Sequence, residues 1–165
     1  MKWALLTIIA VFSIYIAYLQ VQSSKTSYVN GLPLYNALPG QEFVLERDCY
    51  AFKFKDQNSS WPLIGSRETV PDLPAEVSAS NIGADLPKVR ILELLHVGDH
   101  FHIASVRRDQ TRALTTITFE ILFEDEATRK FPRLDAYWIM DHTPEKAGAP
   151  PVFLTDYAVP PRSLK

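Results

Sequence analysis

The chain has one cysteine among its 165 residues, Cys49. A single thiol closes no internal disulfide, and without a Cys-x-x-Cys pair there is neither a thiolate cage for zinc nor a dithiol redox motif. Its surroundings, "RDCYAF", mark no exposed, activated nucleophile, so a cysteine packed in a strand is expected. Glycine is also scarce. The six residues are scattered as Gly31, Gly40, Gly65, Gly83, Gly98 and Gly148, and no cluster of them could cradle a phosphate, which leaves nucleotide chemistry unsupported. His-Glu-x-x-His, EF-hand spacing, internal repeats and low-complexity tracts are all missing, and no cofactor is expected. An excess of positive charge is missing too. Of 17 Lys+Arg only Lys2 precedes position 24, leaving 16 against 19 Asp+Glu in the remainder. That balance argues against a nucleic-acid or anionic-membrane surface.

One long hydrophobic run is present, at the start of the chain. Residues 3–19 carry no charge before Gln20, Gln22 and Lys25. A membrane-spanning helix needs roughly 20 predominantly apolar residues, and 3–21 is just long enough to meet a lipid bilayer. The run is long for a signal-peptide core of about 7 to 15 residues, although Val21 and Ser23 loosely fit a cleavage site. A transmembrane anchor or signal segment is therefore expected over 1–23. No cysteine near its end could take a lipoprotein lipid. Lys2 and the amino group lie before the run, and positive charge stays on the cytoplasmic side. The expected localisation is a single pass through a bacterial inner membrane with the C-terminal domain in the periplasm, or secretion if the segment is cleaved.

The remainder reads as a stalk and turn-rich arm over 24–41, then one β-rich soluble domain over 42–160. Twelve prolines, nearly all outside the apolar runs, suit short elements joined by turns. Asn30-Gly31 and Pro39-Gly40 are turn signals. "EFVLERDCYAFKFKD" (42–56) reads as a strand. Residues 62–87 are too punctuated for a long element, with room for one helical turn in "PAEVSASNIG". "KVRILELL" reads as a strand, Val97-Gly98-Asp99 as its turn, and "HFHIASVRR" as the next strand. In "TTITFEILFED" Ile117, Phe119, Ile121 and Phe123 alternate with Thr116, Thr118, Glu120 and Leu122, the period of a strand with one buried face. "RLDAYWIMD" repeats the theme with Leu134, Ala136, Trp138 and Met140, and a hairpin meander follows. "VFLTDY" near the proline-rich end suits a sheet edge. The expected fold class is mainly β: an N-terminal transmembrane helix followed by a single β-rich domain with few or no helices.

Short consecutive strands, the Gly-Asp turn, a long middle hairpin and a final "YWI" strand resemble the small SH3-like β-barrels of bacterial envelope proteins, over residues 88–142. The resemblance implies a binding module for peptides or cell-wall material rather than an enzyme. Residues 28–87 depart from a minimal barrel and leave the position of any ligand groove open.

Three of the four histidines fall in "HVGDHFH", and they are the candidate metal ligands. His100 and His102, two apart on a strand, point to the same face, and His96 could fold over as a third ligand with Asp99 or His142 beside it. The competing reading needs no metal: Phe101 and Ile103 face a core while His100 and His102 face water. The acids Glu124 to Glu126, with Asp135 and Asp141, show no recognisable catalytic pairing and read as solvated turns. Asn58-Ser59-Ser60 matches a glycosylation acceptor, relevant only in a eukaryotic secretory pathway. The aromatics Tyr50, Phe52, Phe54, Trp61, Tyr137, Trp138 and Tyr157 are mostly core candidates, and they are numerous enough for some to reach the surface as a binding patch. The sequence thus points to a membrane-anchored, non-catalytic envelope module facing the periplasm that binds a protein or cell-wall partner. The alternative is a metal-binding protein or enzyme built on His96, His100 and His102.

Overall fold

The computed structural model describes residues 12–13, 25–56, 61–84, 86–110, 115–125, 127 and 129–161. Among the described residues eleven strands run in chain order: β1 Lys25–Tyr28, β2 Glu42–Leu45, β3 Cys49–Phe54, β4 Leu63–Gly65, β5 Val89–Leu95, β6 His100–Gln110, β7 Thr115–Phe123, β8 Arg133–Asp135, β9 Met140–Asp141, β10 Val152–Phe153 and β11 Ala158–Val159. Nine form one sheet in the order β11-β2-β6-β7-β8-β4-β3-β5, with β1 also paired to β6; β9 and β10 form a separate ribbon. The pairs are antiparallel except β4 with β8. Short 3₁₀ turns lie at Ala79–Asn81, Tyr137–Ile139 and Thr143–Ala147.

The β-rich expectation fits, but two parts of the expected fold class need correction. Among the described residues no helix is long and apolar enough to cross a membrane. The N-terminal transmembrane helix and the single-pass inner-membrane localisation are therefore not supported; a span needs about 20 helical residues. Of the segment 3–21 assigned to the bilayer only Phe12 and Ser13 are described, and the rest lies outside the described residues. The expected closure into a small barrel also fails, because the sheet is open with β11 and β5 at its ends. The physical reason lies at residues 96–99. The β5–β6 connection is not a hairpin: β5 pairs with β3, and β6 with β2 and β7. Instead the ribbon of β2 and β6 turns a corner into the ribbon of β3 and β5. Gly98, at φ +90, supplies the left-handed residue of that corner. Its N–H donates to Leu45 O at 2.8 Å, and Leu45 N–H donates to Asp99 O at 3.0 Å. The outer edge of β5 is partly covered, since Gly83 N–H donates to Ile91 O.

From Phe119 on, β7 follows the expected alternation, with Phe119, Ile121 and Phe123 buried and Glu120 and Leu122 half-buried, whereas at its start Ile117 is only half-buried and Thr118, expected outside, is buried. β6 begins as expected, Phe101 and Ile103 inward and His100 outward, until a bulge between Ile103 and Ser105 buries Ser105 and Val106 together. The run 133–141 is corrected more sharply. Only Arg133–Asp135 and the short Met140–Asp141 are strand; "YWI" is a 3₁₀ turn, so Trp138 leaves the face shared by Leu134, Ala136 and Met140. The cause is Asp135, whose carboxylate accepts Tyr137 N–H at 3.0 Å and turns the chain.

Two apolar clusters share β3 as their wall. Cys49 and Ala51 face the larger one, with Phe43, Phe101, Phe123 and Phe153, whose rings lie 4.4 to 5.8 Å apart. Tyr50 and Phe52 face the smaller one, with Leu63, Val70, Val89 and Ile91. Burial on both faces explains why "CYAF" shows no polar alternation. The segment 24–41 contributes β1 and three buried side chains, Val29, Tyr35 and Leu38, to the larger cluster.

Candidate functional site

His96 lies at the corner before β6, and His100 and His102 lie on β6. His96 and His100 are exposed and His102 is half-buried. His96 Nδ1 lies 3.8 Å from Asp48 Oδ1, while His100 and His102 stand opposite Val44 and Glu42 on β2. Asp99, the expected extra ligand, accepts His96 N–H at 2.8 Å and contacts Arg129 at 2.6 Å. His142 is engaged elsewhere: Nδ1 meets Glu145 Oε2 at 2.8 Å, Nε2 meets Tyr137 O at 3.1 Å, and the ring stacks on Tyr137 at 4.3 Å. Among the described residues no group of three or more His, Cys, Asp or Glu could hold a metal ion. Cys49 is fully buried, and burial pushes its thiol up to about 12.

A different feature gathers aromatic, proline and cationic side chains. A cleft of about 250 Å³ opens where β3, the entry to β4 and the entry to β8 meet. Its walls are Trp61, Pro62, Phe131 and Pro132, and its rim carries Lys53, Lys130 and Arg133. The walls suit stacking and apolar contact, and proline rings fix the approach of both entry segments. Lys130 Nζ lies 5.6 Å from the Phe131 ring centroid, within cation–π range. Lys53 stands directly opposite Arg90 across the β3–β5 pair, so both side chains project on the same face of the sheet. Like charges facing each other across strands are destabilising. Among the described residues neither has an acidic partner.

Two buried polar centres hold this cleft in shape. The first is Arg129, whose side chain is 8% exposed and reaches Asp99 at 2.6 Å, Asp125 at 2.5 Å and Glu93 at 3.6 Å, with its guanidinium carbon 4.3 Å over the Phe123 ring. Burial works against its charge, yet the hydrogen bonds to Asp125 and Asp99 hold its pKa above the ordinary value. Burial also raises Glu93, against the pull of Arg129. Glu93 further accepts Phe131 N–H at 3.3 Å. Lys130 and Phe131 are thereby set on the cleft by the residue immediately before them. The second centre is Asp135, which accepts Phe119 N–H at 3.0 Å and whose own N–H donates to Pro62 O at 2.8 Å, joining β7, β8 and the cleft wall. Arg133 is braced by Glu120 at 2.9 Å, and Glu120 in turn accepts Ser105 Oγ–H at 2.5 Å.

The cleft lining thus offers cationic and apolar side chains. Sequence reasoning missed it because its parts come from three separate stretches; the aromatic and proline pairs Trp61-Pro62 and Phe131-Pro132 were its local signal. No family model, curated protein or solved structure matches the chain.

Proposed function

We propose that this chain is a non-catalytic binding module that recognises a protein partner through the cleft between Trp61 and Phe131. The observation that carries the reading is the pairing of aromatic and proline walls with a rim of cations, beside which Lys53 and Arg90 face each other without an acidic neighbour among the described residues. Ligand sites combine an apolar lining with a few placed polar groups, and interface anchors are enriched in aromatic residues and arginine.

Site-directed photo-crosslinking in cells tests this. A photoreactive residue at exposed Lys130 is expected to capture one partner, a control at exposed Thr116 at the far end of β7 is expected to capture none, and Trp61→Ala with Phe131→Ala is expected to abolish the adduct. Equal capture from both positions, or none from position 130, would overturn the proposal.

A further inference from the structure

We infer that the partner segment held in this cleft is acidic, with an apolar residue set between its carboxylates; this rests on the binding-module reading above. Charge complementarity selects it. Lys53, Lys130 and Arg133 line the cleft and Arg90 stands opposite Lys53, yet the chain as a whole carries a net charge of −2. A positive rim on an acidic protein attracts a short anionic stretch, whereas a long uniform polyanion meets repulsion away from the rim. Nη1 of Arg133 is already held by Glu120. That leaves the ammonium groups of Lys53 and Lys130 and the guanidinium of Arg90 for the ligand. A carboxylate placed between Lys53 and Arg90 relieves their mutual repulsion, which is the electrostatic gain the free protein lacks.

Size limits what enters. At about 250 Å³ the cleft lies below the usual range of roughly 300 to 1,000 Å³ for small-molecule pockets. It therefore admits one or two side chains of a longer segment. An apolar side chain fills the space between Trp61 and Phe131, and the flanking carboxylates reach the rim.

The test titrates the full chain against a fluorescein-labelled peptide with the core Glu-Glu-Leu-Pro-Glu-Glu and against its Gln-for-Glu counterpart, read by fluorescence anisotropy. The glutamate peptide is expected to bind about tenfold tighter, a gap that closes as salt screens rim charges. Lys53→Glu combined with Arg90→Glu is expected to cost about tenfold for the glutamate peptide and so to close the gap between the two peptides. Lys130→Glu, at an exposed position, repeats the test independently of β3 and β5. Equal binding of both peptides, with loss of both in Phe131→Ala, would overturn the acidic specificity and leave the binding module standing. Displacement of the peptide by equimolar inorganic phosphate or oligothymidine would also overturn it, by revealing a general anion site. Failure of the crosslink at position 130 would instead remove the module reading itself.

Discussion

Asparagine in place of Asp135 removes one titrating group from the core while keeping its shape. The residue is 7% exposed, and its Oδ1 accepts Phe119 N–H and Tyr137 N–H, both at 3.0 Å. Burial raises its pKa from 3.8 to about 6, against the pull of those two amides, Arg107 and His142. A folded-state pKa above the unfolded one means that the folded chain binds the extra proton. The contribution to stability is thus fully present below the unfolded value of 3.8 and is lost as pH rises through about 6. A shift of about two pH units at about 1.36 kcal/mol each gives roughly 3 kcal/mol. The carboxamide of Asp135→Asn would keep an acceptor for both amides and would not titrate. Urea unfolding of both proteins from about pH 4 to about pH 8 isolates the effect, because every other group is common to the two curves. The difference in unfolding free energy should move by about 3 kcal/mol toward the variant as pH rises. Parallel curves would refute the reasoning and mean that Asp135 titrates alike in both states.

Two further outcomes follow from the buried polar groups. Arg129→Ala strips the shared cation from Glu93, Asp99 and Asp125 and is expected to cost about 3 to 5 kcal/mol of stability; a thermal-unfolding loss under about 1 kcal/mol would contradict the role given to this hub. Cys49, fully buried with its thiol pushed up to about 12, should resist Ellman's reagent in the native protein and react only as fast as the chain unfolds; rapid labelling without denaturant would place the thiol at the surface.

Where a segment had one buried face, its sequence foretold it. Phe119, Ile121 and Phe123 on β7 and Phe101 and Ile103 on β6 sit inside as the period of two requires. Long-range pairing was not legible. The bulge after Ile103 and the partnering of β5 with β3 depend on contacts that no local window contains; 42–56, read as one strand, breaks into β2 and β3, and without the partner of β3 the Lys53–Arg90 opposition could not be seen. The end of β8 is an intermediate case. Asp135 precedes "AYWIM", and a buried carboxylate that caps Tyr137 N–H competes successfully with the strand that alternation favours. The histidines stood out by density, yet β6 only spaces His100 and His102 along an outer face while the corner holds His96 against Asp48. The cleft, assembled from residues 53, 61–62 and 130–133, had no density to betray it.

The most direct test of the binding-module account is amide and indole NMR mapping of the full chain while the glutamate peptide is added. Binding at the cleft predicts that the Trp61 indole N–H and the amides of Lys53, Arg90, Phe131 and Arg133 move together, and that those of His96, His100 and His102 stay still. Shifts centred on the histidines, or none at the cleft, would contradict the account.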